Sequence, residues 1–188
     1  MQEKPGAFAR SGLFSLLAKR AVYTVRSNRR KHMEQRKEGF VIRTAARDDF
    51  PQWKILWDDY NAFYGRSGPT ALPPEISLAT WTRIHDAAEP VHALVAESEG
   101  RLLGIAHYLY HRNTILLGPT CYLQDLYTAD AARGKGVGRA LIEELYRRAA
   151  ADGAERVYWH THHTNAAARR LYDTVALDSG FIVYRKAL

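Results

Sequence analysis

Ten residues, Ala132 to Leu141, read ARGKGVGRAL and place glycine at every second position, 134, 136 and 138, between Arg133, Lys135 and Arg139. Alternating glycines remove side chains where a backbone must approach something closely, and the apolar-periodic run that follows opens a helix whose first N–H groups have no intrahelical partner. Such an entrance suits an anion, above all a phosphate. Two familiar spacings fail here. A dinucleotide fingerprint needs a third glycine where Arg139 or Leu141 stands, and a P-loop needs Ser or Thr where Gly136 follows Lys135.

Other residues with chemical potential are scattered. Asp58 and Asp59 beside Tyr60 and Tyr64 offer acids next to aromatic faces, which suits a cationic amine or, equally, a solvated helix face. His160 and His162 of the HTHH run share a strand face, but neither a third ligand nor an acidic partner stands beside them, so no metal is expected. The single cysteine, Cys121, begins a strand without a clear base, leaving no evident nucleophile for a covalent route. One thiol excludes an intramolecular disulfide and points to a reducing, cytoplasmic setting.

These residues need elements to hold them. GFVIRTA (39–45) reads as a strand, followed by a helix capped by Asp48 or Asp49, with Pro51 in its first turn and Trp53, Leu56, Trp57, Tyr60, Phe63 and Tyr64 at helical spacing. A second helix spans Glu75 to Asp86. The stretch 91–113 reads as a hairpin turning at ESEG, where Gly100 can take a positive φ. CYLQDLYTA (121–129) alternates as a strand that feeds the glycine turn, and this alternation puts Gln124 and Asp125 on opposite faces. In the helix after the turn, Val137, Leu141, Leu145 and Ala149 form one apolar stripe, and Gly153 closes it. A strand (155–162), a helix (164–176) and a last strand (180–188) complete an α/β order with a mixed sheet.

Length and composition allow one domain with a real core: 188 residues, 46% apolar and 25% charged. No run is long and apolar enough to cross a bilayer, so a membrane role is not expected. The net charge of +7 resides entirely in residues 1–32, which hold eight Lys or Arg against Glu3, leaving the remainder formally neutral. That removes the basic-footprint argument for a nucleic-acid partner. Residues 1–38 read as a basic extension and 39–188 as the domain. Met33 suits a natural start, with an organelle leader or a basic arm as the alternatives for what precedes it.

The motif Arg-x-x-Gly-x-Gly, met by Arg133, Gly136 and Gly138 between a strand and a helix, resembles that of the GNAT superfamily of acetyl-CoA-dependent N-acetyltransferases. NAAARRLY matches the family's later signature, an Asn seven residues before a Tyr (Asn165 and Tyr172), and the likeness runs from about residue 39 to the end. The stretches around YLQDLYT and VYWHTHHTN are most similar to the polyamine and histone-type branch. The resemblance implies a mixed, mostly antiparallel twisted sheet flanked by about four helices, and acetyl transfer to a primary amine by direct attack. The expected acceptor is a small molecule, polyamine-like or amino-acid-like; a protein-lysine acetyltransferase and a catalytically weak acyl-CoA sensor are the alternatives.

The resemblance also assigns parts. Residues Arg133, Gly134, Lys135, Gly136, Val137, Gly138 and Arg139 would hold the coenzyme A pyrophosphate, the backbone of Leu126, Tyr127 and Thr128 would follow the pantetheine arm, and Asn165 would contact the cofactor. Tyr172 would serve as general acid toward the leaving thiolate. A lysine-like amine has a pKa of about 10.4, so neutralising it at pH 7 costs about 4.6 kcal/mol, and a base is needed. Polyamine relatives carry a Glu-Asp pair before the cradle; here it is Gln124-Asp125, and glutamine accepts no proton, which leaves Asp125 as the base or as a structural hydrogen-bonding group. Asp59, Tyr60, Tyr64 and Gln124 are the expected acceptor contacts. Family members often end in a two-strand hairpin soon after the tyrosine, whereas DTVALDS intervenes here and one strand remains, which favours a homodimer that completes the sheet.

Overall fold

The computed structural model describes residues 39–188, so the expectations for residues 1–38 lie outside the described residues. Five strands stand in chain order across one sheet: β1 (Val41–Thr44), β2 (Val91–Ser98), β3 (Arg101–His111), β4 (Thr120–Thr128) and β5 (Arg156–Trp159). The first four are antiparallel and β5 runs parallel to β4, which gives the mixed, mostly antiparallel sheet expected. The β2–β3 hairpin turns through Glu99 (φ 50°) and Gly100 (φ 76°), both in the left-handed region that a two-residue loop requires.

Four helices flank the sheet. Helices α1 (Phe50–Phe63) and α2 (Pro74–Ile84) cover one face, and α3 (Val137–Ala151) lies along the strands through the apolar stripe read from the sequence, with Val137, Leu141, Leu145 and Ala149 all buried. Gly104 on β3 permits that approach: a Cβ there would stand 2.7 Å from the Tyr127 carbonyl and 3.1 Å from the Val137 side chain. On the α1 and α2 side, Trp53, Leu56, Trp57, Tyr60 and Trp81 bury against Ala93, Val95, Leu102 and Ile105. Helix α4 (Ala166–Tyr172) is short and follows β5.

Three expectations are corrected. Asp49 occupies the N-cap position of α1, but its side chain does not cap the helix: the carboxylate turns back to the Ala46 N–H (2.7 Å) and a two-pronged pairing with Arg43, an alternative open to any Asp near a helix start. Gln124 and Asp125 do not alternate: His107 pairs with Asp125 but Tyr108 with Leu123, so Gln124 is the extra residue of a β-bulge. The last strand does not form; residues 177–188 carry no strand, and Phe181, Ile182, Val183, Tyr184 and Leu188 are exposed. A strand gains its bonds only when an edge pairs with it, and within this chain the outer edge of β5 receives none from them.

Candidate active site

Strand β4 carries the two halves of the site. At its middle, Asp125 is buried and receives His107 across the β3–β4 ladder, with Nδ1 to Oδ2 at 3.0 Å. The other imidazole nitrogen, Nε2, faces Trp53 Nε1 on α1 at 2.8 Å. An indole N–H can only donate, so Nε2 accepts, the proton sits on Nδ1, and His107 donates to Asp125. Trp53 and His107 are 0% and 2% exposed, so this chain of donors is dry. Tyr60, on the same helix, has its phenol pushed well above its ordinary value by burial and then by the Asp125 charge, with Arg66 offsetting part of it.

A cavity of about 350 Å³ opens beside this relay, bordered by Trp57, Arg66, Arg83, His107, Gln124 and Asp125. The bulge brings Gln124 and Asp125 to the same cavity, which strict alternation forbids. Asp59, Tyr60 and Tyr64 do not line it: Asp59 and Tyr64 are exposed, and Tyr60 is buried within reach of the Asp125 charge.

At the far end β4 runs through a single turn, Asp130–Ala132, into the glycine stretch. Gly134 (φ 75°) and Gly136 (φ 81°) are left-handed, a conformation that costs any residue with a Cβ about 1–2 kcal/mol. Gly136 is the N-cap of α3, and among the described residues no side chain caps the helix, which leaves its first N–H groups without a capping acceptor. Gly138 meets the next element: a Cβ there would lie 3.3 Å from Leu171. Arg133 pairs with Asp130 at 2.6 Å and donates to the Thr128 carbonyl; Arg139 donates to Thr174 Oγ1 at 2.7 Å. Lys135 is exposed.

Between the two ends, β5 pairs with β4 only from Thr120 to Leu123, while β4 continues to Thr128. Among the described residues, the backbone of Leu126, Tyr127 and Thr128 therefore has no strand on its β5 side. Tyr172 closes α4 with its ring edge-on to Trp159, centroids 5.2 Å apart, where burial and, to a lesser degree, Tyr64 push its phenol up to about 12. Asn165 is the N-cap of α4, its Oδ1 accepting from the Ala168 N–H. Cys121 is fully buried in β4, its thiol pushed up to about 12 chiefly by burial. His160 approaches the Tyr122 hydroxyl, His162 that of Thr164, and no cluster of three metal-ligating side chains occurs among the described residues.

Sequence reasoning missed Trp53, His107, Arg66 and Arg83 as members of one site. The relay joins residues 54 and 18 positions apart, and no local pattern announces it.

The model of the acetyltransferase (GNAT) family matches residues 53–175. The D-amino-acid N-acetyltransferase HPA3 of Saccharomyces cerevisiae is 36% identical over 148 residues, covering 78% of this chain and 89% of the relative. An uncharacterised N-acetyltransferase of Bacillus subtilis, YhfO, is 28% identical over 76% of this chain and 94% of its own length. Among solved structures, AAC(6')-Iy in complex with the bisubstrate analogue CoA-S-monomethyl-acetylneamine superposes with a TM-score of 0.66 at 19% identity, covering 79% of this chain and 99% of that one.

Proposed function

The chain belongs to the GNAT family of acetyltransferases and is an N-acetyltransferase, and from that premise we propose that its acceptor is the primary amine of a small molecule, polyamine-like or amino-acid-like, which attacks acetyl-CoA directly. The observation that carries this reading is the single strand β4, with Asp125 bordering a small cavity at its middle and the glycine turn at its end. A relative named for D-amino-acid acetylation and a fold neighbour solved with the bisubstrate analogue CoA-S-monomethyl-acetylneamine support both a small amine and the donor.

The turn fits a pyrophosphate. Two left-handed glycines, an uncapped helix start and the basic side chains of Arg133, Lys135 and Arg139 offer N–H groups and positive charge where bulk is absent. In this reading Gly134, Val137 and Gly138 line the same cradle with their backbone, Leu126, Tyr127 and Thr128 present theirs to the pantetheine arm, and Asn165 contacts the cofactor from the start of α4. Bound acetyl-CoA supplies an acyl thioester, an electrophile ready for an amine.

The rest is done by side chains of this chain. Asp125 receives the ammonium and takes its proton, directly or through water. His107 occupies Oδ2 with its Nδ1–H and so fixes which way the carboxylate faces, while Trp53 fixes the imidazole. Tyr172 keeps its proton at every physiological pH and holds it where β4 and β5 part, available to the departing sulfur. Gln124 shares the cavity as a neutral hydrogen-bonding group.

The domain is taken as residues 39–188, in a cytoplasmic protein for which the buried, free Cys121 suits a reducing setting. We place a second copy of the chain against the open edge of β5, where the exposed apolar residues 181–184 can complete the sheet. The acid role of Tyr172 predicts that Tyr172→Phe binds acetyl-CoA normally and loses turnover; full turnover rejects it. Thiol release from acetyl-CoA over polyamines, amino acids, aminoglycosides and lysine peptides tests the reading as a whole. No release with any amine, despite tight CoA binding, leaves only the sensor.

A further inference from the structure

The cavity at Asp125 is built unlike a site for a bare polycation. Among the described residues it has one carboxylate, yet two guanidiniums, Arg66 and Arg83, stand on its wall. Arg66, in the loop after α1, gives its Nε to Asn61 Oδ1 at 2.7 Å, and neither arginine has a carboxylate within ion-pair distance among the described residues. Trp57, also on the wall, carries a buried indole N–H with no acceptor among the described residues. His107 uses its only ring proton on Asp125. Donors and positive charge thus exceed what Asp125 can answer. A diamine entering here would gain one opposite charge and meet two like ones, whereas a carboxylate would find charge and N–H groups together. The volume, about 350 Å³, lies at the small end of ligand sites.

We propose that the acceptor is amphoteric, an α-amino acid or a close analogue, with its ammonium at Asp125 and its carboxylate held by Arg66 and Arg83. The inference rests on the acetyltransfer reading for the fate of the amine, though not for the binding itself. It makes the two arginines specificity-determining residues of the site and separates the two acceptor types left open above. An amino acid satisfies both signs of charge in the cavity; a polyamine leaves the arginines unanswered.

The test uses the full chain and matched pairs, each an amino acid (both enantiomers) and the amine formed by removing its carboxylate, such as ornithine with putrescine and phenylalanine with phenethylamine. Thiol release from acetyl-CoA gives kcat/KM, which is expected to favour the amino acid at least about tenfold, the effect of one charge-assisted contact. Arg83→Gln, an exposed position with no side-chain partner among the described residues, should raise the amino acid's KM about tenfold and collapse the ratio toward one, with the KM for acetyl-CoA unmoved. Arg66→Gln should act in the same direction. Amines equal to or better than their amino acids, or arginine variants that keep the ratio, overturn the proposal.

Tryptophan fluorescence titration in the presence of CoA separates this failure from that of the underlying reading. Selective binding of amino acids without thiol release would sink acetyl transfer and leave the amphoteric site standing. Acetylation of polyamines with no binding of amino acids would do the reverse. A chain that neither binds nor acetylates any amino acid overturns the amphoteric site.

Discussion

The two working regions of β4 are built from opposite materials. Around Asp125 every useful atom belongs to a side chain delivered by a different element: an indole from α1, an imidazole from β3, a guanidinium from the loop after α1 and another from α2. Around Gly136 the useful atoms are backbone N–H groups, shaped by positive φ at two glycines and left uncapped by any side chain. The first region is held by long-range contacts around a dry Trp53–His107 relay; the second is exposed and local. Substitutions should therefore remove chemistry from the one and shape from the other, so that turnover fails at Asp125 and donor affinity fails at the turn.

The sharpest way to break this contrast is Asp125→Asn. The amide keeps the size and can still accept from His107, but it takes no proton, so kcat should fall by about 10²–10⁴-fold while the affinity for acetyl-CoA stays as it was. Thiol-release kinetics read the first, and titration with acetyl-CoA the second. If kcat survives, Asp125 is a structural residue and the proton leaves by another path.

Next in size is His107→Phe, which fills the space but leaves the buried Trp53 N–H without an acceptor and removes the donor from Asp125. A loss of about 1–3 kcal/mol in unfolding free energy is expected for such an orphaned group, together with a lower kcat. Restoring a ring nitrogen donor or acceptor at this position should recover only part of either, because the relay needs both. A variant with native stability would mean that Trp53 and His107 do not depend on each other.

At the other region, Gly136→Ala places a Cβ on a residue with φ 81°, a cost of about 1–2 kcal/mol that relaxation of the turn would relieve. Acetyl-CoA should then bind about tenfold more weakly, with kcat at saturating donor close to the parent. Loss of kcat with intact affinity would show that the turn aligns the reacting groups rather than holding the donor.

The contrast also explains what could be read from the sequence. The glycine turn, the α3 stripe and the hairpin at Gly100 depend on residue types a few positions apart, so spacing sufficed for the left-handed turn at Gly134 and Gly136 and for the buried stripe that starts at Val137. The Asp125 side depended on events that spacing cannot carry. No glycine marks the bulge at Gln124, so strict alternation put it on the wrong face. Trp53 looked like a core residue of an amphipathic helix, and it is one, fully buried, yet its N–H reaches a histidine 54 positions away. Asp59 and Tyr64 are exposed, as an acidic and aromatic helix face would be, but they lie outside the cavity at Asp125, because helical spacing does not say which face another element meets. The last strand failed for a related reason: GFIVYRKAL has the residues of a strand, but pairing needs an edge, and composition cannot say whether one is in reach.

Cys121 belongs to neither region, and the smallest effect tests whether it stays out of both. It lies within the β4–β5 ladder, paired with Val157 and fully buried, its thiol raised from 9.0 to about 12 by burial first and the Asp152 charge second. The folded chain therefore holds this proton more tightly than the unfolded one. Its contribution to stability is complete below pH 9 and is lost as pH rises toward about 12. A thiol-specific reagent at pH 8 should leave the native chain unlabelled over the time in which the denatured chain reacts fully, and an alkaline melting series should lose less stability in Cys121→Ala than in the parent. Rapid labelling of the native chain with loss of turnover would instead place an accessible thiolate four residues from Asp125, and a covalent acetyl-cysteine route would then compete with direct attack.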